Sequence, residues 1–144
     1  MEISQNGIDL IKQFEGLRLE AYQCAAGVWT IGWGHTVSDV SKWRKITQDE
    51  AETLLKQDLI IHSNNILKLV KVPLNQNQFD ALVSFEFNIG YGAFKQSTML
   101  KFLNNNSFIL ASGQFDRWIY TNGNVIDGLK NRRKAEKELF LKAD

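Results

Sequence analysis

The segment Phe79-Asp80-Ala81-Leu82-Val83-Ser84-Phe85-Glu86-Phe87-Asn88-Ile89 constrains this chain more than any other. Phe79, Leu82, Val83, Phe85, Phe87 and Ile89 are too many apolar side chains for the single stripe of a surface helix. A helix that is apolar around most of its circumference sits at the centre of a fold. Its limits are legible too. Pro73, the only proline, breaks the chain before it. Asn75 can cap its first turn with Gln78 three residues on, and Gly90-Tyr91-Gly92 ends it.

The remaining segments supply what must surround that helix. Ile8, Leu10, Ile11 and Phe14 form a helical stripe, so residues 3–13 read as a short amphipathic helix that stops near Glu15-Gly16. From Leu17 to Trp33 the period changes. Leu17, Leu19 and Ala21 alternate with Arg18, Glu20 and Tyr22, and Val28-Trp29-Thr30-Ile31 is β-branched and aromatic. This predicts a small β-hairpin or ribbon turning around Ala25-Ala26-Gly27. Thr47-Gln48-Asp49-Glu50 has the form of a capping box and opens an apolar face running to about Val70. Shorter helices follow from Ser97 to Leu103, over 108–114 and over 129–142, with Asn104-Asn105-Asn106 as a loop and Asn122-Gly123 as a turn. The expected class is α+β: one domain over 1–144, with a helix and β-containing lobe over about 1–46 and a helical lobe over about 47–144.

A chain of 144 residues buries enough surface to fold without a disulfide or structural metal. The single cysteine excludes an internal disulfide and a cysteine-rich zinc site, and two histidines without suitable carboxylate spacing argue against a catalytic metal. Seventeen basic against sixteen acidic side chains argue against a nucleic-acid binder. The small positive excess lies at the end, where Lys130, Arg132, Arg133, Lys134, Lys137 and Lys142 face only Glu136, Glu138 and Asp144. Lys130, Arg133, Lys134 and Lys137 share one helical face. That face reads as the solvated side of a packed terminal helix, or as a patch attracted to an anionic surface. No run approaches the ~18 apolar residues needed to span a bilayer, and the polar N-terminus lacks the features of a signal peptide. The expected site of synthesis and residence is the cytosol.

Four residues could carry chemistry. Glu15 closes the first helix beside Phe14 and Trp29. It reads either as a solvated helix-end carboxylate or as a general acid, since desolvation there would raise its pKa. Thr30 reads as a strand residue or as a hydroxyl that holds a water near Glu15. Cys24 reads as a small apolar filler or as a nucleophile assisted by His35. Ile31-Gly32-Trp33-Gly34-His35-Thr36 is no phosphate loop; its glycines let the backbone pass close to something bulky.

Taken together, Phe14-Glu15-Gly16-Leu17-Arg18-Leu19-Glu20-Ala21-Tyr22 and Gly27-Val28-Trp29-Thr30-Ile31-Gly32-Trp33-Gly34-His35-Thr36 closely resemble the front of the phage-type lysozymes, endolysins of glycoside hydrolase family 24. The likeness continues through Ile46-Thr47 to Asp58, through Leu74–Phe85 to Ser97-Thr98, and ends in Gly128-Leu129 with Arg132-Arg133. The resemblance implies a lysozyme fold whose cleft, between the two lobes, binds peptidoglycan. It implies hydrolysis of the β-1,4 bond between N-acetylmuramic acid and N-acetylglucosamine, without cofactor or metal. The family's triad of Glu, then Asp or Cys nine positions later, then Thr six further on, falls on Glu15, Cys24 and Thr30.

The same likeness makes Thr36, Phe87, Asn88 and Ser97 cleft-lining positions, His35 a structural residue near the cleft, and Arg132 the partner of Glu15. It implies a monomer in the host cytoplasm that reaches the wall through a membrane opened by a phage holin. The residues 129–142 would face an anionic outer membrane. Two other readings remain in view: a wall-binding module without catalysis, and a Cys–His amidase or peptidase.

Overall fold

The computed structural model describes residues 1–24, 26–36, 40–42 and 44–143. Its elements in chain order are α1 (Gln5–Glu15), β1 (Arg18–Gln23), β2 (Trp29–Gly32), α2 (Gln48–Leu69), α3 (Gln76–Ile89), α4 (Tyr91–Lys95), α5 (Thr98–Asn104) and α6 (Phe108–Gly113). A 3-10 turn (Gln114–Arg117), β3 (Tyr120–Thr121), β4 (Asn124–Val125) and α7 (Asp127–Leu141) complete it. Mostly helical, with two small antiparallel sheets, the fold is α+β.

α3 is central, as its composition requires. Every residue from Phe79 to Glu86 is buried, and the helix packs against α1, α2 and α7. Phe85 meets Phe94, Phe115 and Trp118 edge-on, with centroids 6.1, 5.2 and 5.7 Å away. Each such fully buried apolar side chain contributes about 1.5–3 kcal/mol. Both anticipated capping boxes form. Thr47 Oγ1 accepts from the Glu50 N–H at 3.1 Å while Glu50 Oε1 accepts from the Thr47 N–H, and Asn75 and Gln78 exchange the same pair of bonds. They supply donors that the first turn of a helix otherwise leaves unpaired.

α1 is latched to α3 at its start. Asp80, fully buried, accepts from the Ser4 N–H at 2.9 Å, from the Ser4 hydroxyl, and from Gln76 Nε2 at 2.8 Å. β1 and β2 pair antiparallel, with Tyr22 opposite Thr30 and Gln23 opposite Trp29, and an irregularity between Arg18 and Tyr22. A further bridge joins Ile31 to His35, so the chain folds back at once after β2.

Two expectations need correction. Arg133 does not belong to a solvated cationic face: it is 1% exposed, stacked 5.0 Å over the Phe85 ring and paired with fully buried Glu136. Helical spacing places Arg133 beside Lys130 and Lys134, but the packing of α7 on α3 turns it inward. Tyr91, read as part of a helix stop, opens the short helix α4. The Asn122-Gly123 turn closes the exposed hairpin β3–β4.

Candidate active site

Glu15 is the last residue of α1, and Gly16 ends the helix with φ of +70°. Its carboxylate is drawn between three other parts of the chain. Arg132 on α7 brings Nη1 to 2.5 Å from Oε2. Gly34, in the fold-back after β2, has φ of +78°, and a Cβ placed there would lie 2.6 Å from Glu15 Oε1. That same point is 3.5 Å from Phe87 Cε1 on α3. Gly34 is thus the glycine that lets backbone pass close to a bulky group, and the group is the Glu15 carboxyl. Side-chain exposure of 19% leaves the carboxyl reachable.

Arg132 is itself fixed from behind. It is 3% exposed, donates from Nη2 to the Ser84 carbonyl at 3.1 Å, and lies with Nε 3.3 Å from Glu136 Oε2. Ser84 donates to that same Glu136 oxygen at 2.6 Å. Glu136 Oε1 meets Arg133 Nε at 2.7 Å as an ion contact rather than an aligned hydrogen bond. Burial pushes the Glu136 carboxyl up, opposed by Arg133 and then Arg132. Burial likewise pulls the Arg133 guanidinium down, with Glu136 acting against it. Two arginines and one buried acid therefore leave a cationic group aimed at Glu15.

Thr30 and Cys24 meet on the ribbon. Thr30 is 2% exposed, and its hydroxyl donates to the Val28 carbonyl at 3.0 Å. Cys24 is half-buried at the end of β1. The backbone of Val28 and then Ala26, with a smaller contribution from Thr30, stabilises the charged form and holds its thiol below the ordinary range against weaker desolvation. Tyr22, opposite Thr30 in the sheet, connects this pair to Glu15. Burial first, and then the negative charge of Glu15, push its phenol up. Sequence reasoning missed Tyr22, although its alternation on β1 was visible.

The histidine is elsewhere. His35 is 5% exposed and its Nδ1 lies 3.1 and 2.9 Å from the two Asp58 oxygens. Among the described residues, the side chain set against Cys24 is Thr30, and His35 is engaged by Asp58. Of the other positions, Phe87 reaches the Glu15 neighbourhood. Thr36 and Asn88 are exposed. Ser97 caps α5: it accepts from the Leu100 N–H at 3.1 Å and donates to the Phe94 carbonyl at 2.7 Å. It borders a separate hollow of about 520 Å³ shared with Gln96, Thr98, Arg117 and Trp118. An apolar groove of about 370 Å³ between the N-terminus and α2 contains none of the site residues.

The candidate site is thus an acid at a helix end, fixed by a buried arginine, together with a Thr–Cys pair on the short ribbon. The phage lysozyme family model matches residues 12–136, and the chain belongs to that family. It is 48% identical over 142 residues to the endolysin of Bacillus phage PZA, covering 97% of this chain and 55% of that one. It is 45% identical over 145 residues to the endolysin of Salmonella phage P22, covering 98% and 99%. Among solved structures, the muramidase domain of SpmX from Asticaccaulis excentricus superposes with a TM-score of 0.91 at 44% identity over 99% of both chains. The chain thus spans nearly all of the P22 relative and about half the length of the PZA one.

Proposed function

We propose that this protein is an endolysin that hydrolyses the β-1,4 bond between N-acetylmuramic acid and N-acetylglucosamine in bacterial peptidoglycan. The observation that carries the reading is the Glu15 carboxyl, partly open to solvent, held by Arg132 and pressed against the backbone at Gly34. Glu15 is the general acid: as the bond from the anomeric carbon to the bridging oxygen breaks, it gives that oxygen a proton. Arg132 orients the carboxyl so that one oxygen faces the sugar.

Glycosidases ordinarily use a second carboxylate to steer or activate water, or to form an intermediate. In this chain that role falls to Cys24 with Thr30. A thiol held below its ordinary range by hydrogen bonds is more readily a thiolate, the negative group that the second carboxylate otherwise supplies. Thr30 places the attacking water beside it. Thr36, Phe87 and Asn88 contact the glycan on either side, Ser97 lies further along the helical part, and His35 ties the fold-back to α2. The two lobes divide near residue 46 within one domain over 1–144, and the protein acts as a monomer.

Among the described residues no helix is long and apolar enough to cross a membrane. From its likeness to the phage endolysins, the reading also includes a host-cytoplasmic store and passage to the wall through a pore made by a phage holin. Lys130, Lys134 and Lys142, exposed on and beside α7, give a small cationic surface toward an anionic outer membrane. The test is which bond is cut. Purified peptidoglycan incubated with the protein gains reducing ends and no new amino groups. Binding without reducing ends would make it a wall-binding module, and new amino groups would make it an amidase or peptidase.

A further inference from the structure

Glu86 on α3 is fully buried, with no place in the mechanism above. A carboxylate there needs partners, because an unmatched buried charge is strongly disfavoured. α2 provides them. His62 Nδ1 is 2.5 Å from Glu86 Oε2, and Asn65, three residues on, donates to Oε1 at 3.1 Å. Asp58, one turn before His62 on α2, is engaged by His35, so Glu86 is the acid that His62 uses.

His62 has a second contact. Its ring lies against Phe87, the neighbour of Glu86 in sequence, with centroids 4.8 Å apart and planes tilted by 54°. Phe87 in turn reaches the space beside Gly34 and Glu15. A line of contacts therefore runs from buried Glu86 through His62 to Phe87, whose ring borders the same space beside Gly34 as the Glu15 carboxyl. Stability alone does not account for it, since a buried polar cluster is often no better than apolar side chains of the same volume. What the pair adds is direction: Glu86, itself held by Asn65, fixes one nitrogen of the imidazole, and the imidazole ring lies against Phe87.

We propose that His62 is a positioning residue: anchored by Glu86, which Asn65 holds in turn, its ring fixes Phe87 as the α3 wall of the glycan site and so governs how tightly the substrate is gripped. This inference rests on the muramidase reading. Two double variants isolate the ring without leaving a buried charge. His62→Ala with Glu86→Gln removes it, and His62→Phe with Glu86→Gln returns an aromatic ring against Phe87.

Initial rates on soluble, uncrosslinked glycan strands are to be measured with thermal unfolding of each variant alongside. The ring-less variant raises KM about fivefold with kcat within about twofold of wild type, a loss of uniform binding. The Phe variant returns KM to within about twofold of wild type. Equal KM in the two variants, or a loss confined to kcat, overturns the role of His62. A wild type that releases no reducing ends overturns the muramidase reading instead. Calorimetric affinity for the same strands needs no turnover and then decides the His62 question: weaker binding by the ring-less variant alone supports it, and equal binding refutes it.

Discussion

Gly34 carries two constraints at once, a left-handed φ and a carboxylate where a side chain would go. Gly34→Ala therefore costs about 1–3 kcal/mol of backbone strain. It also displaces Glu15, and a shift near 1 Å at a reacting group lowers rate by about 10²-fold. Lysis assays and thermal unfolding read the two effects separately; a folded Gly34→Ala protein with wild-type activity would contradict this placement of Glu15. Cys24 gives a prediction with a pH sign. Its folded pKa is lowered, so the thiolate is present at lower pH than in the unfolded chain. The part of stability linked to it is present above the unfolded pKa and lost as pH falls through the folded one. The rate of iodoacetamide alkylation rises with pH through a midpoint below that of the urea-unfolded protein. Coincident midpoints would remove the thiolate from the mechanism.

At the scale of elements, α7 does the most to place the site, because it carries Arg132 to Glu15 and ties itself to α3 through Glu136. Glu136→Ala leaves the buried Arg133 guanidinium without its acid and Arg132 with Glu15 alone, and costs about 3–5 kcal/mol. For a domain this size the melting temperature falls by roughly 10 °C or more. A shift within 2–3 °C, roughly what 1 kcal/mol gives, would show that solvent reaches the arginines. The two capping boxes, the stop after Glu15 and the centrality of α3 were legible because each is a local pattern. The burial of Arg133, Glu136 and Glu86 was not. Charged residues at helical spacing read as solvent-facing, and their partners come from other helices. Arg132 lies 117 residues from Glu15, so spacing could not pair them; only the family resemblance pointed there. α4 was hidden by its glycines, and the β3–β4 hairpin showed only as a turn, since two-residue strands carry no periodicity.

For the whole molecule, the near-neutral charge leaves little long-range attraction, and what exists is local. Lys130 and Lys134 are exposed on α7, whereas Lys137 is paired to Asp116 at 2.8 Å. Lys130→Gln with Lys134→Gln leaves hydrolysis of purified peptidoglycan unchanged and weakens binding to anionic vesicles by about 1 kcal/mol per lysine at low salt. Unchanged vesicle binding would end the outer-membrane proposal without touching the enzymology. The catalytic claim stands on a proton donor assembled from α1, the fold-back after β2, α3 and α7. Its most direct measurement is the release of reducing ends by Glu15→Gln beside wild type. The amide keeps the shape and folds with an unaltered circular dichroism spectrum, while activity drops by about 10²-fold or more. A folded Glu15→Gln protein that cuts peptidoglycan at the wild-type rate would contradict it.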